Sequence, residues 1–247
     1  MKKKLLLSFS LLFSSMFSLC NCGIIEYEIK EDGYFKYVIL GNEYKHHETD
    51  DKEAIALVGL TEEGLSLESV DIPKSIQNIP VRYLGYKNPN NTLFGNHDYI
   101  DFICGEKLRK IYFFDNISTI FFVSGPQVDL FNCSRKKIGA GGTYNKIYFE
   151  KSFCNELGYD EEKNLYFFPS NVTFLNNFDS SDKSIYRIEN VEVGESIPLP
   201  LNPTRDKYEF TGWYTEASCE NLWDFSIIRQ TDDFDLTLYG GWNENWF

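Results

Sequence analysis

Phe210-Thr211-Gly212-Trp213-Tyr214 and Leu236-Thr237-Leu238-Tyr239-Gly240-Gly241-Trp242 are two aromatic runs of strand length in a chain of 247 residues. Leu236, Leu238 and Trp242 fall on one face at a period of two, and Gly240 leaves room between the large side chains. The alternation predicts a compact β unit, and none of its residues forms a recognisable catalytic pattern.

Between the two runs lies Trp223-Asp224-Phe225, and upstream Val191-Glu192-Val193-Gly194-Glu195-Ser196-Ile197-Pro198-Leu199-Pro200 reads as a strand followed by a Pro-bearing loop. In that order, the Gly212-Trp213-Tyr214 step, the Trp223-Asp224-Phe225 step and the closing Leu238-Tyr239-Gly240-Gly241-Trp242 resemble the Listeria-Bacteroides repeat, the B-repeat of internalin-type surface proteins. The resemblance runs from about Ile185 to Trp242. It implies a small β-grasp-like (α+β) module that acts as a spacer or interaction unit at a cell surface, and it implies no enzyme.

Composition extends the β reading to the rest of the chain. Hydrophobic residues make up 43% and aromatic residues 17%, too apolar for a disordered polymer. Tyr, Phe, Ile, Val and Thr are plentiful, which favours strands. A formal net charge of −13 repels phosphate backbones and argues against nucleic acid as a partner.

Residues 1–21 have the parts of a secretory signal: Lys2-Lys3-Lys4, an apolar run from Leu5 to Phe17, and a short exit. The exit, Phe17-Ser18-Leu19-Cys20-Asn21-Cys22, resembles a lipobox, which implies a lipid on Cys22, with Cys20 as the alternative. Acyl chains would hold the protein on a membrane. Residues 22–53 read as a tether and an opening hairpin around Asp32-Gly33. His46-His47-Glu48-Thr49-Asp50-Asp51 reads as a solvated acidic loop, since adjacent histidines in an extended strand point to opposite faces; no metal site is expected.

Residues 54–178 carry a degenerate repeat. Leu67-x-x-Val70-x-Ile72-Pro73-x-x-Ile76 is followed by Leu108-x-x-Ile111-x-Phe113-x-x-x-Ile117, with weaker copies at Ile147-x-Phe149 and Leu165-x-Phe167. Such repetition predicts a solenoid. The first unit, through Ile79-Pro80-Val81-x-x-Leu84-Gly85, looks like the leucine-rich repeat of BspA-type surface proteins. If Val70/Ile72, Ile111/Phe113, Ile147/Phe149 and Leu165/Phe167 point inward, then Asp71, Tyr112, Tyr148 and Tyr166 point outward. The expectation is an exposed tyrosine ladder bordered by Phe114 and Phe168. Two readings of it stand open: a partner-contacting face, or an aromatic cover lying under the C-terminal module.

Residues 179–184, polar and small, read as the linker to a module spanning 185–247. The Gly139-Ala140-Gly141-Gly142 loop beside Arg135-Lys136-Lys137 lacks phosphate-loop spacing. Cys104, Cys133, Cys154 and Cys219 could form two disulfides or sit buried as small apolar residues. With three histidines and no nucleophile elbow, catalysis has few candidate bases, and no cofactor is expected. The sequence therefore points to a mainly β, lipid-anchored surface protein: a degenerate leucine-rich-repeat solenoid followed by a small module. Its expected role is adhesion or protein binding to a partner on a host or neighbouring cell. One alternative is glycan binding, with the tyrosines and Trp213 or Trp223 as stacking platforms. The other is an envelope hydrolase or its accessory subunit, in which acidic pairs such as Asp232-Asp233 would act.

Overall fold

A computed structural model describes residues 27–41, 44, 52–87, 99–113, 119–120, 123–125, 127–132, 144–151, 158–161 and 165–245. Cys20, Cys22, His46, His47, Phe114, Cys133, Cys154 and the 139–142 glycine loop lie outside them. Within them the chain is mainly β, with one helical turn at Gly64–Ser66. The strands are β1 (Lys30–Asp32), β2 (Phe35–Leu40), β3 (Ala54–Leu60), β4 (Ser69–Asp71), β5 (Ser75–Ile76), β6 (Ile79–Leu84), β7 (Tyr86–Lys87), β8 (Tyr99–Ile100), β9 (Phe102–Ile103) and β10 (Lys110–Tyr112). They continue as β11 (Thr119–Ile120), β12 (Val123–Ser124), β13 (Val128–Phe131), β14 (Tyr144–Phe149), β15 (Gly158–Asp160), β16 (Leu165–Pro169), β17 (Val172–Leu175), β18 (Ile185–Glu189), β19 (Tyr208–Tyr214) and β20 (Leu236–Glu244).

Among the described residues three larger sheets organise these strands, beside a two-stranded β7–β8 pair. In the first, β1, β2 and β3 form an antiparallel meander that opens at Gly33, and β3, β6 and β11 continue in parallel. In the second, β4, β10, β13, β14 and β16 stack in parallel in chain order, and β15 closes the far edge antiparallel. Val70, Ile111, Leu130, Ile147 and Phe167 are successive register partners across that stack, and all are buried. They meet Tyr37, Ile55, Leu57, Val81, Leu84 and Phe102 of the first sheet in one core. The inward register expected for Val70/Ile72, Ile111/Phe113, Ile147/Phe149 and Phe167 is the one observed.

The third sheet has the order β18-β17-β20-β19. Phe210 pairs with Trp242, Trp213 with Gly240, and a bulge at Gly212 re-aims the strand. Trp213 is buried among the rings of Phe174, Tyr186 and Phe210. Gly240 is required by close approach, since a Cβ there would stand 2.8 Å from the carbonyl oxygen of Asn176.

Two expectations are corrected here. The linker expected at 179–184 is instead the loop of a hairpin: β17, upstream of it, pairs with β18 and β20, so the module starts at 172. The same polar side chains that signal a linker fold that loop back, with the Asp179 carboxylate accepting from the Ser181 amide and Asp182 from the Phe178 and Ser184 amides. The helix implied by an α+β unit is absent between β19 and β20, where every residue is described. Glu216 accepts the amides of Glu220 and Asn221 at 2.7 and 2.6 Å, and Asp224 accepts that of Ser226, which diverts backbone donors from helical bonding.

Candidate functional site

The outward face of the parallel stack carries an aromatic ladder in register. Asp71, Tyr112, Phe131, Tyr148 and Phe168 are successive partners from β4 to β16. Tyr112 stacks on Phe131, and Phe131 on Tyr148, at ring-centroid distances of 4.7 Å each, and Phe168 tilts against Tyr148 at 5.6 Å. Strand spacing sets this repeat.

The ladder is not open to solvent. Tyr112 and Tyr148 are 3% and 4% exposed, which overturns the exposure expected of them. The cause is β18, which lies across the face and packs Ile188 and Ile185 onto Tyr112, Phe131, Tyr148 and Phe168. Of the two readings, the cover beneath the C-terminal module is the geometry observed. Phe168 is half-buried, and Tyr166 stands apart from the stack, 55% exposed, paired across to Tyr159 on β15 at 4.7 Å. Trp213, a candidate stacking platform, lies in the module core instead, and Trp223 packs against that core.

Arg187 fastens β18 to the ladder. Its guanidinium lies 3.4 Å over the Tyr112 ring, donates to Asp71 Oδ1 at 2.7 Å, and reaches Glu189 Oε1 at 2.9 and 3.2 Å. Glu189 is fully buried, and its Oε2 faces Lys110 Nζ at 3.5 Å. Burial works against the Arg187 charge, but Glu189 and then Asp71 outweigh it and hold the guanidinium cationic. Burial also lifts the Asp71 carboxyl above its usual value in spite of Arg187. Sequence gave no sign of this cluster, because Asp71 and Arg187 are 116 positions apart.

Burial pushes the phenols under and beside β18 upward. Tyr186 rises from 10.0 to about 12, and Tyr112 and Tyr148 rise further, helped by the charges of Glu189 and Asp129 respectively. A group whose folded pKa is raised contributes stability that is complete below its unfolded value and lost as pH rises through the folded one. Native stability is therefore expected to fall from about pH 10 through about pH 12, with phenolate absorbance and loss of circular dichroism rising together. Full ionisation of all tyrosines near pH 10 in a still-folded protein would contradict the packing.

A cleft of about 480 Å³ opens where the module meets β4. Its walls include Tyr34 from the β1–β2 turn, Ser69 and Asp71 of β4, Arg109, and the loop residues Leu199 and Leu201. Leu199 and Leu201 are each 67% exposed, while Ile197 and Pro200 are buried and the Tyr186 hydroxyl donates to the Leu201 carbonyl. The leucines thus stand on a fixed loop. Among the described residues no group of His, Cys, Asp and Glu converges to hold a metal. Cys104 and Cys219 carry free thiols, and burial pushes that of Cys104 up to about 12.

Comparison with known proteins places the C-terminal sheet in context. Residues 171–240 match the Listeria-Bacteroides repeat domain, and the match starts one residue before β17. Over 121 residues, 44% of this chain, the sequence is 29% identical to internalin H of Listeria monocytogenes serovar 1/2a, covering 22% of that protein. Over 68 residues, 28% of this chain, it is 34% identical to a protein of Evansella cellulosilytica named a Gly-rich membrane protein, covering 8% of it. A second protein of that organism, named a membrane protein, is 31% identical over 68 residues, again 28% of this chain and 10% of the relative. The chain spans less than a quarter of the length of each of these relatives.

Proposed function

We propose that this is a non-catalytic surface protein, held outside the cell by a lipid on Cys22 (Cys20 being the alternative), that binds a protein partner. In this reading the five-strand parallel stack is a degenerate leucine-rich solenoid of the BspA type, and the C-terminal sheet is a single internalin-type repeat. The observation that carries the reading is the preformed cleft between β4 and the 197–201 loop, whose two exposed leucines sit on a rigid support. Apolar side chains held at a concave junction are what protein-binding sites use. Support for a surface location comes from the internalin and membrane-protein relatives.

The test is capture of extracellular proteins on the immobilised full chain, in parallel with a glycan array and an assay for release of soluble envelope fragments. Saturable protein binding that Leu199→Ser with Leu201→Ser weakens about tenfold is expected, because such anchors dominate binding energy. Binding to glycans alone would replace this reading with the carbohydrate one, which the exposed Tyr159–Tyr166 pair favours as a stacking surface. Turnover of envelope polymer would replace both.

A further inference from the structure

Edge strand β4 offers a specific recognition chemistry. In the parallel stack Glu68 accepts the amides of Arg109 and Lys110, and Ile72 donates to Tyr112. A strand alternates the direction of its amide groups every residue, so Glu68, Val70 and Ile72 address β10 while the N–H and C=O groups of Ser69 and Asp71 face the other way. No strand among the described residues pairs with β4 on that side. Ser69 and Asp71 are both among the residues that line the cleft, with Tyr34, Leu199 and Leu201.

We propose that β4 is a docking edge at which an extended peptide segment of a partner protein adds as a further strand of the stack. This rests on the protein-binding reading above and names the partner's chemistry. Main-chain hydrogen bonds to Ser69 and Asp71 supply register, and alternate side chains of the peptide meet the apolar walls. The walls ask for large apolar residues at every second position, matching Leu199, Leu201 and Tyr34, the last 42% exposed. Arg109 supplies a cation to the cleft, which Glu68 also lines: its guanidinium donates to the carbonyls of Glu106 and Leu108, at 2.7 and 2.9 Å, and meets no carboxylate among the described residues. A carboxylate side chain on the incoming strand complements it. The other cations of the cleft, Lys110 and Arg187, are already matched to Glu189 and Asp71.

The cleft excludes a different use of the same edge. β4 is three residues long, and Tyr34 and the leucine loop flank it, so a broad sheet from another molecule has no room to continue the stack. A single extended segment fits.

The experiment selects random displayed peptides on the full chain and then measures synthetic versions of the selected sequences. Ser69→Pro removes an outward N–H that β10 does not use and places a ring in the cleft, so it spares the stack. Peptide affinity is expected to fall about tenfold or more in Ser69→Pro, with an unchanged Tm. On the peptide side, N-methylation at the amides facing β4 should weaken binding by about the same factor, and N-methylation at the intervening amides by about twofold or less. This period of two tests the docking mode without altering the protein. Failure to select any peptide, equal binding to Ser69→Pro, or N-methyl effects without the alternation would each overturn the proposal. Capture of a protein partner that survives Ser69→Pro would remove the docking edge while leaving the protein-binding reading in place.

Discussion

Arg187→Met is expected to lower stability by about 3–5 kcal/mol, the cost of leaving a buried acid without its partner. The acid is Glu189, fully buried, and the only other cation paired with it among the described residues is Lys110 at 3.5 Å. Asp71, also partly buried, loses its 2.7 Å partner in the same step, and Tyr112 loses the cation on its ring. In a domain of this size each kcal/mol moves Tm by roughly 2–4 °C, so thermal unfolding should report the loss plainly. Arg187→Met combined with Glu189→Leu should recover at least half of it, because the apolar pair removes the fully buried charge and leaves only the less buried Asp71 without its cation. If the double variant is no more stable than Arg187→Met alone, the cluster is not a coupled unit.

Phe131→Ala should cost a similar amount, about 3–5 kcal/mol, since truncating a buried aromatic leaves a cavity between two stacked neighbours. Phe131 sits at the centre of the ladder, with Tyr112 and Tyr148 each 4.7 Å away and Lys110 Nζ 5.5 Å from its ring centroid. Tyr112→Ser and Tyr148→Ser should destabilise as well, whereas Tyr166→Ser, at an exposed site, should change stability by about 0.5 kcal/mol or less. Denaturant melts of the four variants measure the contrast. Equal, small effects at all four positions would mean that β18 does not cover this face in solution.

The period of two was legible because it is local: Asp71, Tyr112 and Tyr148 lie on the outward face of the stack, as their spacing implied. Phe131 was not, because Val128–Phe131 lies between Gly125-Pro126 and the Gly139-Ala140-Gly141-Gly142 run, signals that read as a loop rather than a strand. The cover over the ladder was illegible for a different reason. Alternation tells which side a residue faces but not what lies there, and the strand that covers it comes from a distant part of the chain. The 179–184 segment shows the same limit, since short polar residues serve a linker and a hairpin loop equally well, and only the pairing of β17 distinguishes them. For the cleft, Leu199 and Leu201 were read as part of a Pro-bearing loop, with no local mark of their exposure. The open edge of β4 is a property of sheet order, which residue pattern does not encode.

The order β18-β17-β20-β19 has a consequence for how the chain is completed. β17 needs β20 on one side and β18 on the other, and β20 is the latest of the four in chain order. The first two sheets can assemble as they emerge, but Tyr112, Phe131 and Tyr148 stay wet until β18 is fixed, and β18 is held in a full sheet only when β20 arrives. A growing chain therefore carries a sticky aromatic stripe from the synthesis of Tyr148 until β20 has followed, and the cover over it closes late.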